Sequence, residues 1–300
     1  MTNSLLYATT VLIWGSSWLA IKLQLGVVAP EVSLVYRFFL AAAMLLAFCL
    51  ASGRPMRFSA RVHGFFALQG ALLFSTNFYL IYLGTQYLTS GLGAVIFSTL
   101  VVMTIVGSAF FFGTPVRPRV VVGAALGLGG IALIFWPEIV TVDLSGSVLR
   151  GAALCLAGTV SAALGMLTSA RNQRHGLPVI QTNAFGMAYG TGFLVALTAA
   201  TGSEFDFDPR AAYVGSLLFL SLFASMVAFW TYLTLLGRIG ADRAGYATVL
   251  FPVVALGIST VFEGYQWTPE ATLGVALVLL GNALALTRLS TLKPAGTRNA

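Results

Sequence analysis

The chain has 300 residues, 58% of them hydrophobic and only 8% charged, with a mean hydropathy of +0.91 and a net charge of +7. A water-soluble domain carries roughly 25% charged residues, because most of its surface faces solvent. Charge this sparse excludes a soluble globule and demands a surface that faces lipid.

A helix that crosses about 30 Å of hydrocarbon needs about 20 mainly apolar residues. Windows of that kind fall at 4–22, 32–52, 64–83, 90–112, 120–136, 148–169, 179–200, 212–235, 243–262 and 270–289. Lengths near 20 favour helices over barrel strands, which are about half as long and alternate in polarity. The expectation is an all-α integral membrane protein of ten transmembrane helices, with short loops and no room for a separate soluble domain. The first stretch lacks a preceding basic region and a small-residue cleavage site, so it reads as the first helix and not as a removable signal peptide. Cys49 and Cys155 both fall inside predicted spans, which argues against a disulfide framework or a zinc cluster. No cofactor is implied.

The positive charge has a location. With a cytoplasmic amino terminus, the inner loops and tail hold Arg54, Arg57, Arg61, Arg117, Arg119, Arg171, Arg174, Arg238, Arg243, Arg288, Lys293 and Arg298. The outer loops hold only Lys22, Arg150 and Arg210, with Arg37 inside helix two. Such asymmetry across short loops follows the positive-inside rule and predicts both termini inside. It also explains the net charge without invoking nucleic acid. Glu31, Glu138, Asp143, Glu204, Asp206, Asp208, Glu263 and Glu270 fall outside, Asp242 inside.

Five helices form a unit that occurs twice. Gly113 to Leu133 can be laid on Gly264 to Leu284 without a gap, matching Gly113 with Gly264, Pro118 with Pro269, Gly123 with Gly274 and Gly130 with Gly281. An odd number of helices per repeat forces the second copy to enter the membrane upside down, as in many secondary transporters that hold substrate near the midplane. The expected organisation is residues 1–140 as the first five-helix repeat, 141–290 as the second, inverted one, and 291–300 as a cytoplasmic tail.

The run Trp14-Gly15-Ser16-Ser17-Trp18, closed by Lys22, resembles the first-helix motif of the EamA family in the drug/metabolite transporter superfamily. Arg37-Phe38-Phe39-Leu40-Ala41-Ala42 in helix two does the same, as do Pro252, Glu263-Gly264, Gly274 and Gly281 in the last two helices. The first repeat departs from the pattern, with Val101 and Phe112 where that proline and glutamate would stand. The resemblance implies export of amino acids or other metabolites across the bacterial inner membrane. It is nearest to exporters of aromatic and neutral amino acids.

Polar and aromatic residues at helical spacing inside a span should face protein or water. Helix one carries Tyr7, Thr10, Trp14 and Ser17 on one face; helix three carries Ser75, Tyr79, Tyr82 and Gln86. The repeat offset sets Tyr79 opposite Trp230, and Phe97 and Tyr246 are further candidates. The expected substrate-binding set is therefore Trp14, Ser17, Ser75, Tyr79, Tyr82, Phe97, Trp230 and Tyr246. Hydroxyls there would bond a zwitterion while rings stack on its side chain or attract its cation. Interface packing is the competing role for each of them. Asn77 lies off the helix-three stripe and suits an interhelical hydrogen bond. Trp136 and Trp267 stand at outer helix ends as belt residues. Gly123, Gly127, Gly130, Gly274 and Gly281 suit packing of each closing helix onto its own bundle, with a dimer face or a hinge as the functional alternatives. Pro252 is a candidate hinge. Arg37, close to the outer end, reads first as an interfacial anchor, with an outer gate or a carboxylate contact as alternatives.

No Asp or Glu stands in the middle of a span, and His63 and His175 lie at the cytoplasmic edge. Intramembrane proton relays use such residues, so transport without obligatory proton coupling is expected. The partners implied are the lipid bilayer and a small, amino-acid-like substrate; a monomer is allowed and the oligomeric state stays open. Export of drugs, nucleosides or other metabolites is the alternative within transport. From other classes, an intramembrane enzyme lacks a visible base, aspartate pair or H-E-x-x-H spacing, and a non-transporting scaffold would not need an inverted repeat.

Overall fold

A computed structural model describes residues 1–24, 26–88, 90–141, 146–262 and 266–286. Asp143, Glu263, Gly264, Arg288, Lys293 and Arg298 lie outside the described residues, as do the side chains of Trp18, Lys22 and Glu138. The described chain is helical, with no strand among the described residues.

In chain order the helices are α1 (Asn3–Lys22), α2 (Pro30–Ala51), α3 (Ala60–Thr85), α4 (Ser90–Ser98), α5 (Leu100–Phe112), α6 (Pro118–Ile134), α7 (Trp136–Val140), α8 (Gly146–Arg174), α9 (Val179–Thr201), α10 (Ala211–Ile239), α11 (Ala241–Ala244), α12 (Tyr246–Phe262) and α13 (Pro269–Leu286). Among the described residues, eight stretches are long and apolar enough to cross a membrane, and α6 is a shorter apolar helix of 17 residues. The window at 4–22 falls on α1, which has 20 residues. Proline opens α2, α6 and α13, where its missing N–H costs nothing. Gly113 ends α5 and Gly202 ends α9 with φ of +62° and +71°, a conformation that suits glycine.

The apolar windows did not reveal two features. The window at 90–112 is broken at Thr99, where Ser98 and Thr99 turn their hydroxyls onto the carbonyls of Val95 and Ile96 at 2.6 Å. And α3 and α10 each contain a π-helical stretch, Leu72–Thr76 and Leu220–Val227. Shifting 72–76 by the 151 residues that relate Gly113 to Gly264 gives 223–227, inside the second stretch. The two π-helical stretches therefore overlap at that offset.

Helix pairing follows a pattern that survives exchange of the halves. Helix α2 packs on α9, and α6 packs on α13; α1 packs on α10 and α12, while α8 packs on α3 and α5. The α6–α13 contact corrects the expected role of its glycines. A methyl at Gly123 would fall 2.7 Å from the Gly281 carbonyl oxygen, and one at Gly130 2.5 Å from that of Gly274. These glycines press the two closing helices against each other, across the halves, and not each onto its own bundle. Small residues permit that approach where lipid offers no hydrophobic drive between helices. The outer surface is apolar: Phe110 is 81% exposed and Val261 75%. Trp136 and Trp267 are exposed beside helix ends.

Candidate functional site

A cavity of about 100 Å³ opens where α1, α2, α3, α4, α8, α10 and α12 converge. Its walls are largely aromatic. Trp14 stands at the centre of that wall, its ring 4.7 Å from Phe229, 5.1 Å from Tyr232 and 5.5 Å from Phe251. The indole N–H donates to the Ala224 carbonyl at 2.8 Å, inside the π stretch of α10, so the ring is fixed in orientation. Ser17, one turn along, lines the cavity too, but its hydroxyl donates back to the Trp14 carbonyl.

Arg37 supplies the charge. It is 2% exposed, so the interfacial-anchor reading is overturned: the side chain runs into the protein instead of out to the headgroups. Its Nε donates to Ser225 Oγ at 2.8 Å, again in the π stretch of α10. The guanidinium carbon lies 4.8 Å from the Phe78 ring centroid and 5.3 Å from that of Phe38. No carboxylate pairs with it among the described residues, and its Nη1 has no hydrogen-bond partner there. A buried, unpaired charge is expensive, and rings recover only part of that cost.

The Tyr82 hydroxyl lies beside the Arg37 guanidinium, and the Asn77 Oδ1, in the same lining, has no hydrogen-bond partner among the described residues. The Asn77 amide nitrogen reaches only the Leu73 carbonyl of its own helix, at 3.3 Å. The expected interhelical bond from Asn77 is absent among the described residues. Buried polar groups are nearly always satisfied. A guanidinium nitrogen and an amide oxygen left open around one hollow mark a place for a polar ligand.

Of the residues singled out from the sequence, Trp14, Ser17, Tyr82, Phe97 and Arg37 line this cavity. Ser75, Tyr79, Trp230 and Tyr246 stand outside its lining. Ser75 is buried within the π stretch of α3. Tyr79 and Trp230 are half-buried, and Tyr246 is a packing residue. Its hydroxyl donates to the Val120 carbonyl, and its own carbonyl accepts from Asn282 at 3.1 Å, tying α12 to α6 and α13. Pro252 lies inside α12 beside the lining residue Phe251.

The residues that take the places expected for Tyr79 and Trp230 are their immediate neighbours, Phe78 and Phe229. They are related by the same 151-residue offset, and their ring centroids are 6.2 Å apart. Phe97 and Thr248, also in the lining, are a second such pair. Tyr82, on the same stripe as Tyr79, does line the cavity, so the count misses by one residue at Tyr79 alone.

Comparison with known proteins now decides the family. The EamA-like transporter family matches residues 2–136 and 149–287. The chain belongs to it. Among relatives, it is 28% identical to the uncharacterized inner membrane transporter YedA of Escherichia coli, over 90% of this chain and 87% of that one. It is 27% identical to the uncharacterized transporter YvbV of Bacillus subtilis, covering 98% and 94%, and 22% identical to protein PagO of Salmonella typhimurium, covering 94% and 92%. A crystal structure of another protein superposes with a TM-score of 0.79 at 20% identity, over 95% of this chain and 96% of that one, which shows a shared fold. This EamA-like protein is a multi-pass membrane transporter.

Proposed function

We propose that this transporter carries small amino acids or closely related carboxylate metabolites across a bacterial inner membrane by alternating access. The observation that carries the reading is the buried Arg37 guanidinium, open at Nη1, facing an aromatic-walled cavity where helices of both halves meet. A guanidinium matches a carboxylate in geometry and charge. The Asn77 oxygen and the aromatic faces suit an ammonium group, and the remaining wall suits an apolar side chain. The lining has no Asp, Glu or His, which favours transport down the substrate gradient without obligatory proton coupling. Names of relatives that include an inner membrane transporter support the location.

Ten spans, arranged as two inverted five-helix repeats with both termini cytoplasmic, complete the proposal. The separate family matches to the two halves, the paired π stretches and a helix pairing that survives their exchange all support it. The test is uptake into proteoliposomes from a panel of labelled neutral and aromatic amino acids, with and without a pH gradient. Saturable uptake that needs no gradient is the expected result. Substrate-dependent, stoichiometric proton movement would contradict the uncoupled mechanism, and no uptake of any carboxylate would contradict the substrate class.

A further inference from the structure

A second and larger cavity, of about 870 Å³, lies where α5, α8 and α10 end and α11 begins. Four arginines line it, Arg117, Arg174, Arg238 and Arg243, against one carboxylate, Asp242. The carbonyl ends of α5, α8 and α10 add about half a negative charge each, so a surplus of about one and a half positive charges remains. Two of the cations are engaged without being neutralised. Arg174 stacks on Phe112 at 4.0 Å, and Arg238 donates to the Met1 carbonyl at 2.9 Å. Arg117 and Arg243 have no ion-pair partner among the described residues. Deeper in, Ser108 is 2% exposed, and among the described residues neither its hydroxyl nor that of Thr234 has a hydrogen-bond partner.

The two cavities stand in series along the same helices. On α8 the lining passes from Met166 in the inner cavity to Ala170 in the outer one, a single turn of about 6 Å. On α10 it passes from Phe229 to Thr234, with Tyr232 and Leu233 fully buried between. The short α11 that closes the wall is preceded by Gly240, at φ +92°, and followed by Gly245.

We propose that this basic vestibule is an anion-binding antechamber: it takes carboxylate- or phosphate-bearing solutes and presents them, across one turn of packing, to the cavity that Arg37 lines. Four guanidiniums around a polar hollow raise the local concentration of anions and hold their oxygens by charge-assisted bonds. The capture role rests on the transport reading above, whereas the anion site does not, so the two fail separately.

Inorganic phosphate is the probe. Purified protein in neutral detergent is unfolded by heat in phosphate and in chloride at equal ionic strength, alongside an Arg174→Gln/Arg243→Gln double variant and an Arg57→Gln control from outside the vestibule. Ligation predicts a midpoint that climbs with phosphate for the wild type and the control, by mass action, and loses most of that climb in the double variant. Equal climbs in all three proteins are what general salt exclusion gives and overturn the site. Repeating the series in nanodiscs with and without anionic phosphatidylglycerol separates the sources. A phosphate response that survives the anionic lipid supports solute capture; one abolished by it assigns the site to a headgroup and overturns the antechamber.

Discussion

At the scale of single residues, the cavity is organised by Arg37. Replacing it with Gln removes the charge but keeps a donor, and the account expects the KM for a carboxylate substrate to rise about 10- to 100-fold, from loss of a charge-assisted bond worth about 1.5–3 kcal/mol. Asn77→Ala is expected to act differently. It removes the open amide oxygen, so uptake of an amino acid should fall toward that of its desamino analogue, while uptake of the analogue stays unchanged. Competition between the two labelled compounds in the same vesicles checks this; an equal loss for both would refute the ammonium role. The sequence placed Arg37 at its depth along the helix, but depth does not say whether a side chain runs outward or inward. That depended on Ser225 of α10 standing 2.8 Å away, a contact between residues far apart in the chain.

Among the elements, the apolar windows located the long helices because the demand for about 20 apolar residues is severe and local. Register within a helix was less legible. Counting at 3.6 residues per turn found Trp14 and Ser17 on α1, a helix without interruption. On α3 the count chose Tyr79 and Tyr82, and the structure brings Phe78 and Tyr82 to the cavity. Nothing in Leu72–Thr76 announces the π winding found there. The one hint available was that Phe78 and Phe229 are both phenylalanine at the repeat offset.

The crossing of α6 and α13 makes a separate prediction. Gly130→Val should drive side-chain atoms into the Gly274 carbonyl, whereas a methyl at neighbouring Gly129 meets nothing within 4 Å. Overpacking of that kind costs about 1–3 kcal/mol. Thermal unfolding in detergent should therefore show a lower midpoint for Gly130→Val and one close to wild type for Gly129→Val; equal midpoints would mean that this crossing does not hold the helices together.

For the whole molecule, the architecture is two halves that share a helix pairing, with a polar hollow at their junction and a basic vestibule one turn away. Matched glycines and prolines pointed to a repeat in the sequence, since such residues answer to backbone constraints. The vestibule was not legible there, because its arginines come from three separate stretches and, in the sequence, only mark a side of the membrane. That sidedness is itself testable. Cys49 and Cys155 are both buried, so Arg57→Cys and Asp206→Cys can be labelled against a low background. An impermeant thiol reagent added outside intact cells should reach the second and not the first, and the reverse result would invert the topology.

The central claim is that Arg37 receives the carboxylate of a transported solute, and the most direct test compares wild type with Arg37→Gln in proteoliposomes of equal protein content, over a range of labelled amino-acid concentrations. The account predicts saturable wild-type uptake and a variant whose KM is raised about 10- to 100-fold, with little change when the substrate is the uncharged amide of the same amino acid. Identical saturation curves for the two proteins would contradict it.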